Sequence, residues 1–141
     1  MEKVKVFVDT NLLVSALISQ KGASYEIVQN SNIVKIISPT VSKELTEVSK
    51  KFRFRNKDVE TILKHLSLKK VSLKKEKLEE IYSGYVMDTK DTHVLSSAKE
   101  SKTKFLLTHN IKHFRVEKIN NDFGIIVIKP GNFLQYLRSQ E

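Results

Sequence analysis

Apolar positions along the chain keep two alternating rhythms. Short β-prone runs at Val4–Val8, Ile33–Ile37, Phe105–Thr108 and Ile125–Ile128 read as strands buried on both faces. Between them, apolar spacings of three and four predict helices. Leu12, Leu13, Ala16 and Leu17 mark one over Asn11–Ser19, and Ser24 is expected to cap another over Tyr25–Asn30. The triplet "SPT" offers a Ser38 cap with Pro39 at the first helical position, opening a helix over about 40–51. Further helices are expected over about 57–66 and 75–83, and from Thr89 to Ser101. Pro130 begins a terminal helix carrying Phe133, Leu134 and Leu137. With 4 Gly, 2 Pro, no linker and no repeat, residues 1–141 are expected to form a single domain. Strands alternating with helices predict an α/β fold with a mainly parallel sheet covered on both faces. Ligands of such sheets sit outside the carboxyl ends of the strands, so the residues just after each strand matter most.

Three acids stand at such junctions. Asp9 closes "VKVFV" as the next helix starts, where Asp is also a favoured N-cap; on this residue alone the cap and the functional readings are equally open. In "PTVSKELTEVSKKF", Val41, Leu45 and Val48 mark the buried stripe; Glu44 flanks it, whereas Glu47 turns toward water. A half-buried carboxylate needs compensation, from a helix dipole or a cation. Asp91 heads the apolar stripe of Val94, Leu95 and Ala98. Burying it unpaired is costly, so it is expected to face a cleft or a bound metal. Asp88 is the better plain N-cap, with a supporting role at the site as its alternative. After the strand "FLLT", Asn110 occupies the loop with Thr108 just before it, an amide that accepts hydrogen bonds but brings no charge. A parallel sheet would gather these positions on one rim. Three carboxylates and an amide there make an oxygen donor set that suits Mg²⁺ or Mn²⁺ better than zinc.

Charge narrows the class of partner. Lys and Arg number 25 against 16 Asp and Glu, a net charge of +9, which favours polyanions and chiefly nucleic acid; a solvated lysine-rich surface is the plain alternative. The basic residues bunch in "KKFRFRNK" and in "LKKVSLKKEK", Leu68 to Lys77. In the first, Lys50, Lys51, Arg53 and Arg55 alternate with Phe52 and Phe54, so phosphate contact and base stacking are both available; helix spacing favours Phe52 as a core residue instead. The absence of cysteine excludes disulfide and thiolate chemistry. No stretch approaches the roughly 18 apolar residues of a membrane span. The opening "MEKVKVFVDTN" lacks the basic-then-apolar plan of a leader, and a cytoplasmic protein is expected.

The segments "VFVDTNLLVSAL", "SPTVSKEL", "DTKDTHVLSSA" and "LLTHNIKHF" resemble a PIN domain in order and spacing, over roughly Lys3 to Leu137. "IIVIKPGNFLQYL" is similar to the tail of a branch of toxins from toxin–antitoxin pairs, related to the VapC-type ribonucleases. The resemblance implies a three-layer α/β/α fold and Mg²⁺- or Mn²⁺-dependent endoribonuclease activity. It also implies an RNA substrate, a cognate antitoxin protein and a homodimer. The family's acidic quartet falls on Asp9, Glu44, Asp91 and the position held by Asn110, with Thr10 or Asn11 beside the first acid and Thr108 as an assisting hydroxyl. Many PIN domains read Thr-Gly-Asp where this chain has Thr108-His109-Asn110. The lost charge weakens a second metal position and leaves open one-metal catalysis, weak activity, or a nucleic-acid-binding module without cleavage; Asp88 could restore a charge. The implied mechanism is hydrolysis by water activated on a cation held by Asp9 and Asp91, Glu44 orienting the water or holding a second ion, with 5′-phosphate products.

Other signals weigh less. His109 and His113 stand four apart, but the Glu of a zinc-protease motif is Asn110 here; His113 is expected to pack or to touch RNA. His93, one turn into its helix, reads as a surface residue with substrate contact as its alternative, and Tyr82 and Tyr85 as packing residues. An aspartyl-phosphate site built on Asp9 would want a second Asp where Asn11 stands.

Overall fold

The run VKVFV becomes β1 (Val4–Val8), with Val6, Phe7 and Val8 completely buried, as a strand covered on both faces requires. The structure, a computed structural model, describes residues 3–70 and 74–140. β1 is the middle of a five-stranded parallel sheet with β2 (Ile33–Ile37), β3 (Leu66–Leu68), β4 (Phe105–Leu107) and β5 (Ile126–Ile128), in the order β3-β2-β1-β4-β5. Val6 pairs with Lys35 on one side and with Phe105 on the other. The chain steps outward from β1 through β2 to β3, then returns to build β4 and β5 on the opposite flank. The carboxyl-end crevice between β1 and β4 is therefore the point where strand order reverses, the place where open α/β sheets hold ligands.

The helices are α1 (Thr10–Ile18), α2 (Ala23–Gln29), α3 (Pro39–Lys51), α4 (Asn56–Lys64), α5 (Lys75–Tyr82), α6 (Thr92–Glu100), α7 (Val116–Phe123) and α8 (Pro130–Ser139). α1 packs against α2, α3 and α4, while α5 packs on α6, which lies against β1 and β4. Both faces of the sheet are covered, giving the expected three-layer α/β/α sandwich. Phe105 meets Phe133 edge-on at a ring separation of 5.0 Å, which ties α8 to β4. Tyr82 and Tyr85 pack on Phe123, at 5.8 and 4.6 Å. Among the described residues no helix is long and apolar enough to cross a membrane.

Ser38 caps α3 as its position predicts, its Oγ accepting from the Val41 N–H at 3.2 Å with Pro39 following. Other expectations need correction. α2 begins at Ala23 behind Gly22, so Ser24 is not its cap; it is buried, with its hydroxyl 3.1 Å from His109 Nε2. The helix expected to reach residue 66 stops at Lys64, and Leu66–Leu68 forms an edge strand. α7 was not anticipated; Val116, Ile119 and Phe123 form its inner stripe, and Gly124 ends it at φ 67, a left-handed conformation suited to glycine. Phe52 is 61% exposed rather than in the core. α3 ends at Lys51, and Arg53 (φ 56) swings the chain so that Phe54 packs inward instead. In the second basic run, Val71, Ser72 and Leu73 lie outside the described residues.

One buried cation belongs to the scaffold. Lys35 of β2 donates from Nζ to the carbonyls of Val28 (2.8 Å) and Asn30 (2.7 Å), at the end of α2 where backbone carbonyls lack helical partners. Burial, reinforced by Lys3, lowers its pKa. For the core, Phe105→Ala removes a fully buried ring that bridges β4 and α8. It is expected to cost about 3–5 kcal/mol, read as a lower urea midpoint at unchanged slope.

Candidate active site at the carboxyl edge of the sheet

Asp9 is the first residue beyond β1, in extended conformation (φ −77, ψ 155) and only 8% exposed. Its Oδ1 accepts from the adjacent Thr10 N–H at 2.8 Å, not from the N–H groups further into the helix that a capping Asp ordinarily serves. Its Oδ2 accepts from the Thr108 hydroxyl at 2.9 Å and from Asn11 Nδ2 at 3.1 Å. The Thr108 hydroxyl in turn accepts from Asn11 Nδ2 and from the Asn110 N–H, each at 3.1 Å. Asn11 closes the set by accepting from the His109 N–H through Oδ1 at 2.9 Å. The end of β4 is thus joined to the end of β1 through side chains. Backbone bonds run alongside, with Asp9 N–H donating to Leu107 O and Thr108 N–H to Ile128 O, both at 3.1 Å.

Glu44 reaches this centre from α3. Its Oε1 accepts from the Thr10 hydroxyl at 3.1 Å, and its side chain is 43% exposed. Burial pushes its carboxyl above the ordinary value; the Thr10 hydroxyl pulls it back, while Asp9 and Glu47 add to the rise. Asp91 stands at the N-cap position of α6, yet its carboxylate makes no capping bond. Asp88 caps the preceding turn of 3₁₀ helix (Thr89–Asp91) instead, accepting from the Lys90 N–H at 3.0 Å. Asp91 is 22% exposed, with Oδ2 3.4 Å from His113 Nδ1. Burial raises its pKa first, the charge of Asp9 adds to this, and His113 and His93 oppose it.

Each sequence-derived candidate can now be located. The charge of Asp9 acts on both Glu44 and Asp91, and Thr108 and Asn11 hold Asp9 in place. Asn110 contributes its backbone N–H, and its exposed side chain forms no hydrogen bond among the described residues. Lys50, Lys51, Arg53 and Arg55 are exposed around the end of α3, and Arg55 is engaged with Asp58 at 3.0 Å. His93 corrects the reading of a surface residue. Its side chain is 19% exposed, Nε2 lies 3.7 Å from Glu44 Oε1, and burial lowers its pKa against the pull of Asp9 and Asp91. Its Nδ1 is buried without a hydrogen-bond partner among the described residues. The available signal was "THVLSSA", seven residues without formal charge, which mark a helix buried on most sides.

The donor chemistry fits a hard divalent ion, since the carboxylates supply oxygen and the charges on Glu44 and Asp91 are under-compensated. The geometry is open: among the described residues, no three His, Asp or Glu side chains form a ready-made metal cage.

Two measurements probe this arrangement. A carboxyl whose folded pKa lies above its unfolded value favours the fold at low pH and loses that advantage as pH rises through the folded value. Glu44→Gln and Asp91→Asn are therefore expected to melt above the parent at pH 7.5 in EDTA, with the gap closing toward pH 4. Parent-like or lower melting at pH 7.5 would contradict the charge strain. Thr108→Val leaves Asp9, Asn11 and the Asn110 N–H each short of a partner, and is expected to cost about 1–3 kcal/mol by chemical denaturation.

Comparison with known proteins adds family to geometry. The PIN domain family profile matches residues 5–112. No curated protein sequence matches. Among solved structures, the chain is similar to VapBC2 of Rickettsia felis bound to a promoter DNA fragment, at 21% identity and TM-score 0.65, covering 89% of this chain and 98% of that one. It is also similar to a toxin–antitoxin complex of Klebsiella pneumoniae, at 18% identity and TM-score 0.67, covering 89% and 97%. A DNA-bound VapBC of Salmonella typhimurium gives 15% identity and TM-score 0.64, covering 90% and 98%. At these identities the structures speak for the fold, while the profile spans more than half of the chain, which places this protein in the PIN domain family.

Proposed function

We propose that the protein is a divalent-metal-dependent endoribonuclease and the toxin of a toxin–antitoxin pair. One observation carries this reading: Asp9 is locked at the strand-order reversal while its charge bears on two further carboxylates, Glu44 and Asp91, that lack full compensation. Asp9 and Asp91 would hold a Mg²⁺ or Mn²⁺ ion, with Glu44 beside it. When bound, such an ion supplies an activated water and neutralises charge on the phosphate.

The chain's own residues do the rest. Thr108 and Asn11 fix the plane of the Asp9 carboxylate, and three of its roughly four acceptor sites are spoken for, leaving about one for a further ligand. Glu44, held by Thr10, is the group available to orient a water or take its proton, and its raised pKa brings it nearer to neutral pH. Lys50, Lys51, Arg53 and Arg55 are available to a longer strand. An antitoxin partner, a homodimer and a cytoplasmic location belong to the same proposal. The toxin–antitoxin and VapBC complexes of similar fold support the antitoxin.

Asn110 favours a second reading, a nucleic-acid-binding module that does not cleave, because it removes a charge from the set. Incubation of single-stranded RNA with the protein in Mn²⁺ separates the two. The first reading expects 5′-phosphate products, loss of cleavage in EDTA and with Asp9→Ala, and a reduction of about 10–100-fold with Asn11→Ala, a residue that orients a ligand carboxylate. RNA retained by the protein but left intact in Mn²⁺ would replace the first reading with the second.

A further inference from the structure

Beside Glu44 and His93 a cleft of about 690 Å³ opens, walled by α3, the 3₁₀ turn at Thr89–Asp91 and the start of α5. Its volume lies within the roughly 300–1,000 Å³ of small-ligand sites. Lys43, Lys75 and Lys90 reach it from these three elements, and Lys70, between β3 and α5, lines it as a fourth cation. None of the three forms an ion pair among the described residues, although Lys77, Arg55 and Arg138 are each paired with a nearby acid. Pro39 and Leu78 give the cleft an apolar surface between the ammonium groups.

We infer that this cleft seats the ribose–phosphate backbone of a single strand next to the cleaved bond, with Lys43, Lys75 and Lys90 as its phosphate contacts. The inference rests on the ribonuclease reading for the identity of the strand. A polyanion approaching three carboxylates is repelled, and the approach becomes favourable only if cations line the same path. Lys43 and Lys90 directly precede Glu44 and Asp91 in the chain, and both lysines line the cleft together with Glu44, so cationic and acidic groups share its wall. The basic residues from Lys50 to Arg55 do not line the cleft. Glu47 and Glu79 do, and with Glu44 they offset most of the charge of the four lysines that line it. A free phosphate therefore gains little there, while a strand spanning all three lysines gains at several points.

The test is fluorescence anisotropy of a labelled single-stranded RNA in EDTA, over salt from about 50 to 200 mM, so that binding is read without cleavage. The triple variant K43Q/K75Q/K90Q is expected to bind on the order of tenfold more weakly, with a salt slope shallower by about 2, or about 0.7 per lysine. The control K102Q/K104Q, at the amino edge of the sheet, should match the parent. All five lysines are exposed, so melting temperatures should coincide. Inorganic phosphate at equal ionic strength should not displace the RNA. No binding by the parent, a parent-like triple variant, or loss of binding through R53Q/R55Q alone would overturn the inference. Cleavage in Mn²⁺ separates its fate from that of the function: lysine-dependent binding without cleavage spares the cleft and sinks the nuclease, while cleavage indifferent to the lysines does the reverse.

Discussion

Everything at the carboxyl edge depends on a carboxylate that is almost completely buried yet keeps its hydrogen bonds satisfied. Asp9 follows the central strand at the point where its two neighbours, β2 and β4, come from opposite halves of the chain. Burying a carboxylate there is tolerable only if donors are aimed at it. They come from the first turn of α1 and from the end of β4, residues 99 apart in sequence for the Thr108 bond. The Thr108 hydroxyl uses its full capacity, one donated and two accepted bonds, so its rotation is fixed from three sides. The strand ends, the loop through His109 and the start of α1 are thereby set by the needs of one side chain.

The other two acids are treated differently, and the contrast has a consequence. Among the described residues, Glu44 receives the Thr10 hydroxyl and a longer contact from His93, and Asp91 receives only the longer contact to His113. Both feel Asp9 and both resist ionising more than a free carboxyl does. A fold selected for stability alone would replace them with neutral residues of similar shape, so strain of this kind is expected where a site must later bind positive charge. At Asp91 the nearby His113 and His93 offset part of the rise, but burial and the charge of Asp9 outweigh them.

Much of this was legible in the sequence because it follows from one rule, that ligands gather at strand carboxyl ends. Asp9, Glu44, Asp91 and Thr108 could be found by locating strand ends and apolar stripes, and Ser38–Pro39 announced α3 outright. What stayed hidden has a common cause. β3 is an edge strand of three residues with two exposed side chains, so it buries too little to leave an alternating pattern. α7 spans only eight residues, and Gly124 was its single clear mark. Phe52 carried a helical spacing that ceased to apply once the chain turned at Arg53. His93 was misjudged because one polar residue on an uncharged helix says little about which side of that helix is covered.

The same geometry bears on Asn110. Its place in the lock is made by a backbone N–H, which any residue but proline supplies, so the exchange of an acid for an amide leaves the Thr108–Asp9 bond intact. What the exchange alters is charge alone. The charge of Asp9 already bears on two further carboxylates at this rim, and a fourth acid would raise the cost of folding without a cation. An amide here therefore lowers the attraction for a metal and the internal repulsion together. Under the metal-dependent reading proposed above, a single ion held by Asp9 and Asp91 would ask less of the fold than two ions would.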